Sequence, residues 1–505
     1  IKPDCVDAYN NMGNAIKEKG DLDAAIESYK QAIKIKPDYV EAYSNMGISL
    51  KDKGDLDASI ESYKQAIRIK PGYFASWNNL FFSLQAIKLK VPSLDGLLSE
   101  LADQTSSHNA QVAKSLLHYK LDLGGASVEG SLNAALTLLS TSENSIIKNS
   151  KMDASKVFLK QILPDNMVAL VHFGRSGTGL LHSLIDGHPE VSTLPSIYFS
   201  EYFVSSNWNN IISGGWTKMA DRFMATYEIL FDASSPKPIA SKSGKFISNL
   251  GIKEGLVNVG DARNEVLIVD KTLFRNELNH LMECHAELNA LAFFKLVHAA
   301  YAKALNDHNQ KHLIFYHIHN PGTHALLNFV RLAPETRWLI MVREPIQSCE
   351  SWALGPFLKD DYSAVGNRII GMLFEVDTVI YHKDRSIGVR LEDLKNHPRK
   401  TIPALCVWLG IKEQESLYEM TAQGKKWWGD PASPNYSKEG MDPFGKSAIR
   451  RELGSVFSET DQFILRTLFY PFSVRFGYAQ ENFEQFKADL QTVRPMLDQM
   501  FDFEK

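Results

Sequence analysis

Arg175 stands inside a glycine-rich stretch, Gly174-Arg175-Ser176-Gly177-Thr178-Gly179, wedged between two apolar segments of different periodicity. Upstream, residues 167–173 are mostly β-formers and suit a strand covered on both faces, as parallel sheets require. Downstream, Leu180, Leu181, Leu184 and Ile185 recur at helical spacing, and the segment closes at Gly187 and Pro189. A helix that starts directly after such a loop presents unpaired N–H groups and the positive end of its dipole, a setting that binds an anion. The three glycines let the backbone come close, Ser176 and Thr178 supply hydroxyl donors, and Arg175 supplies charge. The chemistry expected is the holding of a phosphate or sulfate. A nucleoside-triphosphate loop would carry Lys and then Ser or Thr where Leu180 and Leu181 stand, so a kinase or ATPase is not expected. The glycine order also fails the dinucleotide fingerprint.

A second arginine repeats the arrangement. Residues 338–342 read as another buried strand, which runs into Arg343, Pro345 and a helix carrying Ser351 eight residues after the arginine. In open α/β sheets ligands sit at the carboxyl ends of strands, so Arg343 should emerge on the same rim as Arg175 and grip a second phosphate. Residues 387–411 then give a short strand, a charged turn at Glu392, Asp393 and Leu394, and an amphipathic helix.

These three pieces, in this order, resemble the sulfotransferases that use 3′-phosphoadenosine 5′-phosphosulfate, over roughly residues 168–410. The resemblance implies a P-loop-like parallel α/β sheet and no metal. It places the 5′-phosphosulfate on Arg175, Ser176, Gly177, Thr178 and Gly179, with Arg175 also steadying charge on the leaving phosphate, and the 3′-phosphate on Arg343 and Ser351. The stretch from Ser176 to Val191 is similar to the Golgi and bacterial branch. In the cytosolic branch the general base is a histidine in a Thr-His-x-Pro stretch, which here points to His319, two residues before Pro321 and 24 before Arg343. Its ordinary pKa of about 6.5 suits proton abstraction near neutrality. Ile318 replaces the threonine, His317 replaces a lysine, and Gly179 replaces a second loop threonine. In the branch related to protein-tyrosine sulfotransferases the base is a glutamate, and the nearest acid to that place is Glu201, the second candidate. Lys271 in Val269-Asp270-Lys271-Thr272 resembles an active-site segment of bacterial members. The implied reaction is in-line sulfuryl transfer to a hydroxyl on a small molecule, glycan or peptide. The alternative is an inactive sulfotransferase-like repeat protein acting as a scaffold.

The remaining chain bounds these readings. Pairing residues 3–36 with 37–70 leaves nine differences in 34 positions, hence 25 identities, and a third copy starts at Pro71. Each copy reads as a helical hairpin and resembles the tetratricopeptide repeat, with Ala8, Gly13 and Tyr29 in one copy and Tyr63 in the next. The Ile1–Asp4 stretch repeats at Ile35–Asp38, so a further repeat upstream is expected. A repeat surface implies a protein partner or self-association. The expected domains are repeats over 1–90, a helical connector over 91–164, the sulfotransferase domain over 165–480 and a C-terminal helix over 481–505. A net charge of −4 without a long basic block argues against nucleic acid as partner. Four scattered cysteines without CxxC spacing fit a reducing compartment. The localisation expected is cytoplasmic, or the Golgi lumen if an N-terminal anchor precedes Ile1. Aromatics at residues 198–203 and 425–430 are read as core or as acceptor pocket, and residues 442–454, with Lys446 and Arg450, as a solvated helix face or a cover over the nucleotide.

Overall fold

The 34-residue period folds into helical hairpins because each copy carries its own punctuation. In this computed structural model α1 (Val6–Glu18) and α2 (Leu22–Ile35) form the first hairpin, and α3 (Val40–Asp52) and α4 (Leu56–Ile69) the second. Gly20 and Gly54 turn the chain with φ of +89°, and Asp21 and Asp55 then cap α2 and α4 by accepting from Ala24 N–H (3.0 Å) and Ala58 N–H (3.2 Å). A Cβ on Gly13 would stand 2.5 Å from the Tyr29 ring, and one on Gly47 the same distance from Tyr63. The small residue of one helix is therefore the seat of the fully buried tyrosine of the next. The structure describes residues 5–70, 73, 75–77, 79–80, 83, 146–149, 164, 166–195, 199, 201–240, 246–319, 323–376, 385–431, 433, 436–444 and 453–505. The chain divides into two compact units, one comprising 1–144 with 242–245 and 322–331, the other the remainder.

The second unit is built on a five-stranded parallel sheet. Its strands are β1 (Asn166–His172), β2 (Val191–Ser192), β3 (Leu313–His317), β4 (Arg337–Val342) and β5 (Ser386–Arg390), in the spatial order β2-β3-β1-β4-β5. Alternation along each strand separates two cores. Val168, Leu170, Leu313, Phe315, Leu339, Met341 and Val389 face α5 (Thr178–Ile185) and α10 (Pro398–Leu409). Phe173, Ile340 and Val342 face α7 (Pro345–Phe357), α8 (Tyr362–Val376) and α11 (Glu459–Leu468). The α6 helix (Ala290–Ala304) sets Phe294 against Tyr316 of β3, ring centroids 5.0 Å apart. A short α9 (Leu391–Asn396) occupies the charged turn after β5.

Ile147 and Lys148, inside the stretch expected to be a helical connector, form a short strand antiparallel to Glu287 and Leu288. Strand pairing across so many residues leaves no local periodicity to read. Most of 91–164, and Lys446 and Arg450, lie outside the described residues. Among the described residues no helix is long and apolar enough to cross a membrane, no group of ligating side chains could hold a metal, and all four cysteines are free.

Candidate functional site

β1 and β4 are neighbours in the sheet, yet the helices that follow them leave on opposite faces: α5 packs into one core and α7 into the other. The carboxyl ends of two such strands cannot be covered by either helix, and the crevice between them is where open α/β sheets bind ligands. Both arginines read from sequence sit at this point, Arg175 after β1 and Arg343 after β4.

The loop after β1 is held by α7. Gly174 has φ of +56°, and a Cβ there would lie 2.4 Å from Ser348 Oγ, so both conformation and proximity require glycine. The Ser348 hydroxyl accepts from Arg175 N–H (3.0 Å) and donates to the Phe173 carbonyl (3.4 Å). Gly177, φ +83°, is the N-cap of α5 and offers that helix no side-chain cap. Ser176 is 1 % exposed, and its Oγ makes no hydrogen bond among the described residues. A buried hydroxyl without a partner is costly, and an acceptor at the start of α5 would satisfy it. Arg175 projects exposed from the same loop, Thr178 is buried in the first turn of α5, and a side chain at Gly179 would meet nothing within 4 Å.

Arg343 and Ser351 line one open pocket, together with Gln347, Glu350, Leu354, Leu453 and Ser455. Ser348 and Ser351 are three apart on α7, adjacent along one helix surface, so one helix touches both the loop and the pocket. Glu350, 5 % exposed, turns its carboxylate to the C-terminal segment: Oε1 accepts from the N–H groups of Gly454 (3.1 Å), Ser455 (2.6 Å) and Val456 (3.2 Å).

The charged turn after β5, noted in the sequence without a role of its own, positions Arg343. Glu392 accepts from the N–H of Glu344 (3.0 Å), the residue beside Arg343, and from the Tyr478 hydroxyl (2.9 Å). Asp393 holds Arg390 through two bonds, 2.7 and 2.9 Å. Leu391 covers the loop, its Cδ1 2.8 Å from where a Cβ on Gly177 would stand.

His319 follows β3 at the level of His172 on β1, and their rings are 5.5 Å apart. His317 continues the row, 5.6 Å from His319 and 5.5 Å from His182 of α5. Burial, then the neighbouring imidazoles of His182, His319 and His172, pushes the His317 pKa well below its ordinary value. Glu201 is the second candidate. Its charge acts on the buried phenols of Tyr227 and Tyr316, and Tyr316 leaves β3 on the face opposite to His317, among Phe199, Phe203 and Phe294. Lys271 opens the helix Lys271–Glu283 and pairs with Glu228 at 3.1 Å. The geometry thus gathers His319 with the loop strand, sets Glu201 within electrostatic reach of Tyr227 and Tyr316, and pairs Lys271 with Glu228. The aromatics of 199–203 are core, and the Trp427 and Trp428 indoles donate to the carbonyls of Glu254 (2.9 Å) and Gly260 (2.7 Å).

Two cations absent from the sequence reading lie within electrostatic reach of the arginines. Lys395 on α9 is half-buried, and its pKa is lowered by burial and by Arg343, against an opposing pull from Asp442. Arg368 on α8 is lowered by burial and by Arg175, against Asp361. Only the sheet order brings these helices to the arginines, and no local motif marks them.

Family models place a TPR repeat on residues 13–54 and a tetratricopeptide repeat on residues 40–73, so the N-terminal segment is a tetratricopeptide array. No curated protein matches the chain. Among solved structures, the sulfotransferase domain from the Synechococcus PCC 7002 olefin synthase is 15% identical and covers 56% of this chain and 86% of its own, with a TM-score of 0.31. A mutant O-GlcNAc transferase from Thermobaculum terrenum is 14% identical and covers 36% of this chain and 35% of its own, with a TM-score of 0.21. Both scores are too low to carry an argument, and the site is read from its own residues.

Proposed function

We propose that the second unit is a sulfotransferase that binds 3′-phosphoadenosine 5′-phosphosulfate across the ends of β1 and β4 and moves its sulfuryl group to a hydroxyl acceptor. The observation that carries this reading is the pair of arginines at neighbouring strand ends, bridged by one helix whose Ser348 holds the loop and whose Ser351 lines the Arg343 pocket. The unpartnered Ser176 hydroxyl and the two added cations fit an anionic ligand of more than one charge. When bound, the nucleotide supplies the activated sulfuryl group. Arg175, the loop amides, Ser176 and Thr178 hold its 5′ end and receive the charge left on the phosphate, the dominant form of catalysis in such transfers. Arg343, Ser351 and Lys395 hold the 3′-phosphate. His319 takes the acceptor's proton.

Binding of adenosine 3′,5′-bisphosphate followed by thermal shift tests the site, and labelled-sulfate transfer across phenols, glycans and peptides tests the reaction. Arg175→Ala and Arg343→Ala should each abolish the shift, and His319→Ala should keep it while losing turnover. An unchanged shift in either arginine variant refutes the site, and a shift without transfer to any acceptor favours the inactive scaffold.

A further inference from the structure

Arg368 lies within electrostatic reach of Arg175. Arg368 is half-buried on α8, its guanidinium carbon 4.5 Å from the centroid of the Trp352 ring. One turn further on the same surface, the Met372 methyl lies 3.1 Å from where a Cβ on Gly174 would stand, so this side of α8 is the wall behind the anion loop. Trp352 adjoins Ser351 of the Arg343 pocket, and the cation–π contact with its ring restrains the guanidinium. Among the described residues no carboxylate lies in ion-pair range of either guanidinium, although Asp361 exerts a weaker pull on Arg368. Arg368 is half-buried and feels the charge of the exposed Arg175, a repulsion that an anion seated between them would relieve.

We propose that Arg368 is a second cation of the 5′ subsite, gripping the phosphosulfate end jointly with Arg175 and setting the preference for ligands that carry a charged 5′ group. This deepens the nucleotide reading and rests on it. The 5′ end bears two negative charges, and after sulfuryl transfer both reside on the phosphate left behind, a dianion that two guanidiniums match better than one.

Calorimetric titration with adenosine 3′,5′-bisphosphate and with adenosine 3′-monophosphate separates the roles. Arg368→Met, which keeps the stem and removes the charge, should weaken the bisphosphate about tenfold or more and change the 3′-monophosphate less than about twofold. Arg368→Lys should recover part of the loss. Equal losses for both ligands, or no loss, would overturn the proposal and leave Arg368 as a link between α7 and α8. A wild-type protein that binds neither ligand overturns the nucleotide reading and this inference with it. Modification of the wild-type protein by phenylglyoxal, mapped by mass spectrometry, gives the same answer if the variants do not fold. The bisphosphate should shield Arg368 and the 3′-monophosphate should not, and equal reactivity under both ligands would sink the assignment.

Discussion

Glu350 offers the sharpest quantitative test of how the pocket is built. Its buried carboxylate accepts three backbone N–H groups of the 454–456 segment, and two residues of that segment's neighbourhood, Leu453 and Ser455, line the pocket with Arg343 and Ser351. Hydrogen bonds to a charged acceptor contribute about 1.5–3 kcal/mol, neutral ones about 0.5–1.5. All three reach Oε1, and Gly454 N–H also reaches Oε2 at 3.3 Å, so Glu350→Gln can keep the Oε1 acceptor while losing the charge and this second contact, about 1–3 kcal/mol in all once the part-exposed N–H groups turn to water. Glu350→Ala removes the acceptor. Val456 N–H is buried, whereas those of Gly454 and Ser455 are part-exposed and can turn to water, so one full desolvation penalty and two partial ones apply. The expected cost is about 3–5 kcal/mol. At roughly 2 °C per kcal/mol for a unit of this size, thermal melts should fall by about 2–6 °C for glutamine and about 6–10 °C for alanine. Affinity for adenosine 3′,5′-bisphosphate should follow the same order. Melts of both variants within 1 °C of wild type would show that the segment is held by something else.

Gly179→Thr should be tolerated, because a side chain there meets nothing within 4 Å, and the added hydroxyl should tighten bisphosphate binding about two- to tenfold by titration; weaker binding would mean the first turn of α5 does not face the ligand. Lys395→Met should weaken adenosine 3′-monophosphate about five- to tenfold, while inorganic sulfate binding, which draws on the Arg175 loop and Arg368, should hold; the reverse pattern would assign Lys395 to the other end. His298, fully buried with Ser192 Oγ 2.9 Å from Nδ1, has its pKa pushed down to about 3 by burial. The unfolded chain takes up this proton below about pH 6.5 and the folded chain does not, so stability falls as the pH drops. Between pH 6.5 and 5 the loss should reach roughly 2 kcal/mol, and denaturant melts of His298→Gln should lack that increment. Parallel slopes for variant and wild type would refute the assignment.

The strand-loop-helix unit around Arg175 was legible because its signals are local: an apolar run, glycines that conformation demands at 174 and 177, and leucines at helical spacing. The repeat was legible for the same reason, since Gly13 and Tyr29 recur at Gly47 and Tyr63. What stayed hidden depends on sheet order. Arg368 and Lys395 lie on unremarkable helices and come within electrostatic reach of the arginines only once β1, β4 and β5 stand side by side. That Tyr316, which feels the Glu201 charge, and His317 leave β3 on opposite faces is a matter of strand parity, and a count of residues from the loop arginine has no access to it.

The Ser348 hydroxyl is engaged with the Arg175 N–H and the Phe173 carbonyl, so it fixes the loop from the same rigid rod that presents Ser351. A fragment that settles into one end of the crevice therefore steadies the frame of the other, so sulfate and adenosine 3′-monophosphate should help each other bind, and by linkage to the same degree in both directions. Removing the Ser348 hydroxyl should uncouple the two while sparing each one's own contacts, which makes α7 less a wall of the site than the lever through which its halves communicate.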